Sequence, residues 1–127
     1  MTSAQVVLDT SVVLAFLFGE PGRDIARRLL PGDCLLSVNL AEVVTKLIDE
    51  GMPEFDRRAV LGNLGCEIVP FDRDLAIRAG DLRSESTSLS LGDRACLALA
   101  LTRGLPAYTA ERSWAGLKLG IDIRLIR

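Results

Sequence analysis

The sequence contains no histidine. That excludes Ser-His-Asp triads, Cys-His pairs, His-Glu-x-x-His sites and every zinc site that needs imidazole. Cysteine is scarce: Cys34, Cys66 and Cys96 lie far apart and form no Cys-x-x-Cys. An odd count without close spacing argues against a disulfide framework and suits a reducing cytoplasm, the expected location. The three read as plain buried thiols. Long apolar runs are missing too. The longest, Val12 to Phe18 and Ala95 to Leu101, fall far short of the ~20 residues a membrane-spanning helix needs. The N-terminal stretch lacks a basic segment and is interrupted by Asp9, so no signal peptide and no membrane association are expected. There is no Gly-x-x-x-x-Gly-Lys-Ser/Thr phosphate loop, no internal repeat and no linker.

What remains is an apolar globular chain of 127 residues and 13.7 kDa, 49% hydrophobic, with a mean hydropathy of +0.29. A single domain over residues 1–127 is expected, long enough to bury about two-thirds of its unfolded surface. The net charge is −2, which disfavours phosphate binding at first sight. Yet 13 of the 15 basic residues are Arg, whose guanidinium suits phosphate.

Short apolar runs alternate with helical patterns. Strands are expected at Gln5–Leu8, Cys34–Ser37, Cys66–Pro70, Ala107–Thr109 and Ile121–Ile126. Helices are expected from Ser11 to Phe18, up to Leu30, over Asn39–Glu50, from Pro53 to about Leu64, over Asp72–Arg83 and over Asp93–Arg103, with a short one at Arg112–Ala115. The Asp93–Arg103 segment is apolar all round from Ala95 to Leu101, which predicts a central, buried helix. Ser84–Ser90 reads as an exposed loop. The alternation predicts an α/β layered fold with a short, mostly parallel sheet flanked by helices. Ligands in such folds sit at the carboxyl ends of the strands.

Without histidine or an activated thiol, carboxylates are the main candidates for chemistry. Four stand out by position: Asp9 after the first strand, Glu42 and Asp93 in first helical turns, and Glu111 after the fourth strand. A bland account exists for each. Acids favour first turns, and Asn39-x-x-Glu42 and Ser90-x-x-Asp93 resemble capping boxes. Glu42 also falls opposite the apolar face of its helix, where a solvated acid belongs. Asp9 and Asp93 fit that account less well. One lies between two apolar segments and the other begins a helix with no polar side, so each is partly desolvated and needs donors, a proton or a cation. Were the four to converge, two charges ~4 Å apart would repel by about 4 kcal/mol even at an effective dielectric near 20. A counter-cation resolves that. All-oxygen ligands select Mg²⁺ or Mn²⁺ over zinc, and a carboxylate-held Mg²⁺ keeps several waters and can activate one toward a phosphodiester.

Four pieces of the chain carry a family resemblance: Val-Val-Leu-Asp9-Thr-Ser-Val, Val38-Asn-Leu-Ala-Glu42-Val, Leu91-Gly-Asp93-Arg-Ala-Cys-Leu-Ala and Tyr108-Thr-Ala-Glu111-Arg-Ser-Trp114. In this order, spread over nearly the whole chain, they resemble the PIN-domain ribonucleases, and among them the VapC-type toxins of bacterial toxin–antitoxin pairs. The resemblance implies a PIN-like three-layer fold, Mg²⁺- or Mn²⁺-dependent endoribonuclease activity on RNA, and inhibition by a small cognate antitoxin. It carries metal-site and catalytic roles to Asp9, Glu42 and Asp93. The fourth acid of the family is usually Asp; here it is Glu111, one methylene longer. A homodimer is the expected assembly.

The expected reaction is metal-assisted hydrolysis of the RNA backbone. Asp9 and Asp93 hold the principal ion, while Glu42 and Glu111 complete the acidic pocket. Arg94 and Arg112, each beside a proposed ligand, are candidates for phosphate contact, set against the commoner surface or ion-pair role. Phe16, Leu17, Phe18, Ile25 and Leu29 crowd the early helices, either as core or as a partner-binding groove. The alternative to an enzyme is a catalytically inactive PIN-like binding module acting through its protein partner.

Overall fold

The computed structural model describes residues 4–127. The first three, part of the stretch in which no signal peptide is expected, lie outside the described residues. In order, the elements are β1 (Val7–Leu8), α1 (Thr10–Phe18), α2 (Arg23–Leu29), β2 (Cys34–Leu36), α3 (Ser37–Asp49), α4 (Glu54–Gly62), β3 (Glu67–Val69), α5 (Arg73–Asp81), α6 (Leu91–Arg103), β4 (Ala107–Thr109) and β5 (Ile123–Leu125). Single 3₁₀ turns cover Leu82–Ser84 and Arg112–Gly116. Each expected element is present. Four of the five strands are shorter than the runs read from the sequence, and β4 matches its run.

All four strand pairings are parallel, in the order β3-β2-β1-β4-β5. Parallel strands buried on both faces read as continuous apolar runs, as β1 and β2 do, whereas the edge strands β3 and β5 are partly exposed and carry Glu67 and Arg124. Successive side chains point to opposite faces. Val7, Cys34, Leu36 and Val69 join the core under α5 and α6, whereas Val6, Leu8 and Leu35 join the core under α1, α2 and α3. The result is the three-layer α/β arrangement the alternation predicts. Helix α6 is its centre: Ala95 to Ala100 are all buried, with the small Ala95, Cys96, Ala98 and Ala100 letting it lie close to the sheet. Among the described residues no helix is long and apolar enough to cross a membrane.

The chain winds outward from β1 in both directions, to β2 on one side and β4 on the other. Between β1 and β4 the connections diverge to opposite faces. Such a switch point leaves a crevice at the carboxyl ends of the two strands. Asp9 immediately follows β1, and Ala110 and Glu111 immediately follow β4.

Candidate active site

Asp9 is the N-cap of α1, yet its side chain does not cap that helix. It is instead held across the switch point. Ser11 Oγ donates to Asp9 Oδ2 at 2.7 Å and Thr109 Oγ1 donates to the same oxygen at 2.9 Å. Ser11 Oγ in turn accepts from the Ala110 amide at 2.9 Å, and Thr109 Oγ1 accepts from the Glu111 amide at 3.0 Å. The two hydroxyls thus relay the backbone beyond β4 onto one carboxylate oxygen and fix its orientation. Asp9 is only 4% exposed. Burial pushes its pKa up to about 6; the hydroxyl donors oppose the rise and the nearby Asp93 charge adds to it.

Asp93 sits at the start of α6 and forms the capping box its spacing suggests. The Asp93 amide donates to Ser90 Oγ and the Ser90 amide donates to Asp93 Oδ2, both at 3.1 Å. The carboxylate is half-buried. With Glu111, Ser88, Ser113 and Trp114 it lines a cleft of about 400 Å³.

Glu42 departs from expectation. Helix α3 begins at Ser37, directly after β2, so Glu42 lies in its second turn and the first turn contains no acid. Asn39 is not a cap; it is fully buried inside the helix. The Glu42 side chain is nonetheless restrained. Thr10 Oγ1 donates to Glu42 Oε1 at 2.6 Å and Asn39 Nδ2 donates to the same oxygen at 2.9 Å. Beside it, a mostly apolar groove of about 550 Å³ runs between Leu14, Val38, Ala41 and Thr45.

The Cys96 thiol lies beneath these groups. Its pKa is raised well above the ordinary thiol value, first by complete burial, then by the charges of Asp9, Asp93 and Glu42. Those three acids therefore share one neighbourhood, and Glu111 joins it through the cleft it shares with Asp93. They do not meet at a point: among the described residues no three acidic, thiol or imidazole groups stand close enough to hold one ion by themselves. Nor is any of the four paired with a cation among the described residues. Seven ion pairs form elsewhere among the described residues, and none includes Asp9, Glu42, Asp93 or Glu111.

That pattern bears directly on a hard divalent ion. The donors are all oxygens, and one of them is a buried carboxylate without a counter-charge among the described residues, which is the donor chemistry a hard divalent ion takes. The residues fit such an ion.

The sequence reading missed Ser11, Thr109 and Thr10, and took Asn39 only for a cap. Two of these follow Asp9 directly, in an Asp-Thr-Ser triplet that looks at most like half of an aspartic protease motif. Arg94 is corrected. It is only partly exposed; its Nη1 donates to the Ala79 carbonyl at 2.9 Å and so clasps α5 to α6. Arg112 is exposed. Cys34 and Cys96 are buried thiols, while Cys66 is half-buried.

The family model described as "PIN domain" matches residues 6–117. No curated protein matches the sequence. Among solved structures, the DNA-bound VapBC complex of Salmonella typhimurium is similar at a TM-score of 0.81 and 23% identity, covering 98% of this chain and 99% of that one. VapC20 of Mycobacterium tuberculosis, described as a sarcin-ricin loop cleaving toxin, is similar at 0.71 and 21% identity, covering 94% and 98%. VapBC-5 from Mycobacterium tuberculosis, of the VapBC family of toxin–antitoxin systems, is 27% identical at a TM-score of 0.60, covering 99% of each chain.

Proposed function

The chain belongs to the PIN-domain family, and from that premise we propose that it is a VapC-type endoribonuclease toxin, cutting RNA with a divalent cation held by Asp9, Asp93, Glu42 and Glu111. The observation that carries this reading is Asp9: a carboxylate buried at the topological switch point, beside a second acid, with hydroxyl donors and no cationic partner among the described residues. Burying such a charge is unfavourable unless something positive joins it. When bound, Mg²⁺ or Mn²⁺ polarises a phosphoryl oxygen and makes water a better nucleophile.

The chain's own residues do the rest. Ser11 and Thr109 hold the Asp9 carboxylate still. The Ser90 cap holds Asp93, and Thr10 with Asn39 hold Glu42. Glu111 lines the cleft that Asp93 opens into. The test is RNA cleavage that requires Mg²⁺ or Mn²⁺ and stops in EDTA, together with a rise in melting temperature on adding Mn²⁺. At 100 times its dissociation constant a bound ion adds ~2.7 kcal/mol. Cleavage that survives metal stripping overturns the mechanism. No thermal shift and no cleavage would identify an inactive binding module. Because a proton on Asp9 competes with the ion, Mn²⁺ affinity should fall by up to about tenfold per pH unit below about pH 6. Titrations at pH 5, 6 and 7 measure this.

For partners, we propose a small antitoxin and a homodimer, the latter checked by light scattering. The toxin–antitoxin assembly named for VapBC-5 supports the first. So does the helical layer on the α1 side of the sheet. Phe16, Leu17, Ile25 and Leu29 pack against its core, which answers most of the crowding in the early helices. Phe18 is left 37% exposed at the rim, and Phe55, on a helix that buries no residue, is 84% exposed. Phe18→Glu should therefore stay folded, melting within about 1 kcal/mol of wild type, and should weaken antitoxin capture from a co-expressed pair. Unfolding of this variant would put Phe18 back in the core.

A further inference from the structure

We propose that Asn39 and Gly92 are positioning residues which together seat the Glu42 carboxylate against the first turn of α6. For its consequence the proposal rests on the reading of Glu42 as part of the metal site.

Asn39 is 0% exposed, and a buried amide needs a reason that an apolar side chain does not. Its Nδ2 has two acceptors from two elements: Glu42 Oε1 at 2.9 Å, three residues on in α3, and the Gly92 carbonyl at 3.2 Å, in α6. Both partners are acceptors, so the amide orientation is forced. Its Oδ1 is buried without a hydrogen-bond partner among the described residues. The side chain is thus retained at a cost to stability, and what it does in return is tie Glu42 to α6. Such conflicts collect at functional sites.

Gly92 supplies the other half. A Cβ built on it would fall on Glu42 Oε2 and lie 2.7 Å from Cδ and 2.8 Å from Oε1. The Glu42 carboxylate therefore occupies the space that any other residue at position 92 would fill. Gly92 has no need of glycine for its own backbone, which is ordinary right-handed helix. At the N-terminal turn of α6, moreover, the partial positive charge of the helix end faces the carboxylate. Thr10 Oγ1 closes the seat from the α1 side at 2.6 Å from Glu42 Oε1.

The two variants separate positioning from folding. In Gly92→Ala the added methyl meets only the end of a flexible side chain, and helix propensity favours alanine. The protein should melt at or above the wild-type temperature in EDTA while Glu42 is pushed off its seat. In Asn39→Leu both donor hydrogens and the orphaned oxygen disappear at similar volume. Two readouts are needed. The first is the Asn39 side-chain amide signal in metal-free protein by NMR, slow to exchange in wild type. The second is Mn²⁺ affinity by calorimetry for wild type and both variants. The expected result is a displaced, faster-exchanging Asn39 amide in Gly92→Ala and at least tenfold weaker Mn²⁺ binding in both variants. An Asn39 amide unchanged by Gly92→Ala overturns the seat, whatever the metal does. A displaced amide with wild-type Mn²⁺ affinity overturns it as a positioning device. A displaced amide in a protein whose wild type binds no Mn²⁺ supports the seat and overturns the metal reading instead.

Discussion

Asp9→Asn should melt above the wild type in EDTA at pH 7, and it should no longer respond to Mn²⁺. The folded protein holds the Asp9 pKa near 6, against 3.8 in an unperturbed chain, with burial as the main cause. The proton therefore binds the folded state more tightly than the unfolded one. The associated stability is complete below about pH 4 and is lost as the pH rises through 6. Above that, the ionised carboxylate carries a constant penalty of about 3 kcal/mol, from roughly two pKa units at 1.36 kcal/mol each. Asn keeps one oxygen for the Ser11 and Thr109 hydroxyls and removes the charge. Its amide hydrogens lack an evident acceptor, which offsets part of the gain, so a net rise of about 2 kcal/mol is expected. Out of the 5–15 kcal/mol that stabilises a typical domain, that is a large change. Melting curves in EDTA at pH 4 to 8 measure it. The wild type should lose stability between pH 4 and 6, and the variant should lack that slope. A variant that melts lower at pH 7 would mean that the carboxylate serves the hydroxyl relay alone.

A functional group that lowers stability is a mark of a site. The same conflict recurs at Asn39, with its orphaned oxygen, and at Gly92, in a helix where alanine would be better for the helix itself. Three such departures surround one crevice.

The layered fold was legible because its signals are local. Apolar triplets separated by helical periods can pack only as parallel strands with crossovers, and the all-round apolarity of Ala95–Leu101 has no place except the middle. The acids were legible for the same reason, since each follows a strand or opens a helix, with Glu42 the exception. There the reading placed the helix start two residues late. Asn before an apolar period resembles an N-cap, but β2 runs straight into α3, and the Ser37 hydroxyl is occupied by the Phe71 amide at 3.0 Å. The relay through Thr109 was not legible at all. It joins residues 100 positions apart, and no local pattern encodes which hydroxyl will face which carboxylate. Arg94 failed likewise: its neighbour in sequence is an acid, but its partner in space is a carbonyl of α5.

Asp93→Asn should lose nearly all cleavage and most of the Mn²⁺ shift, with little change in EDTA. Cap and site are not rival accounts of this residue, because the capping box is formed and the carboxylate also lines the cleft. Asn can still accept the Ser90 amide, so the hydrogen bond survives. What disappears is the charge. At a helix start that charge stabilises by ~0.3–1 kcal/mol. Its loss also relieves the repulsion that helps to raise the Asp9 pKa, so the two effects oppose and the Asp9 titration moves downward. The melting temperature in EDTA should therefore stay within about 1 kcal/mol of wild type, while cleavage falls by about two orders of magnitude or more, as for loss of a direct transition-state contact. Ser90→Ala makes the complementary change. It removes the cap acceptor and keeps the carboxylate, so it should cost ~1 kcal/mol in EDTA and retain the wild-type Mn²⁺ shift. Two melting curves, in EDTA and in Mn²⁺, and one cleavage time course per protein separate the cases. If Asp93→Asn behaves as Ser90→Ala does, melting lower in EDTA and gaining the full shift in Mn²⁺, then Asp93 only caps α6. The ion, if there is one, must then be held by Asp9 with Glu42 or Glu111.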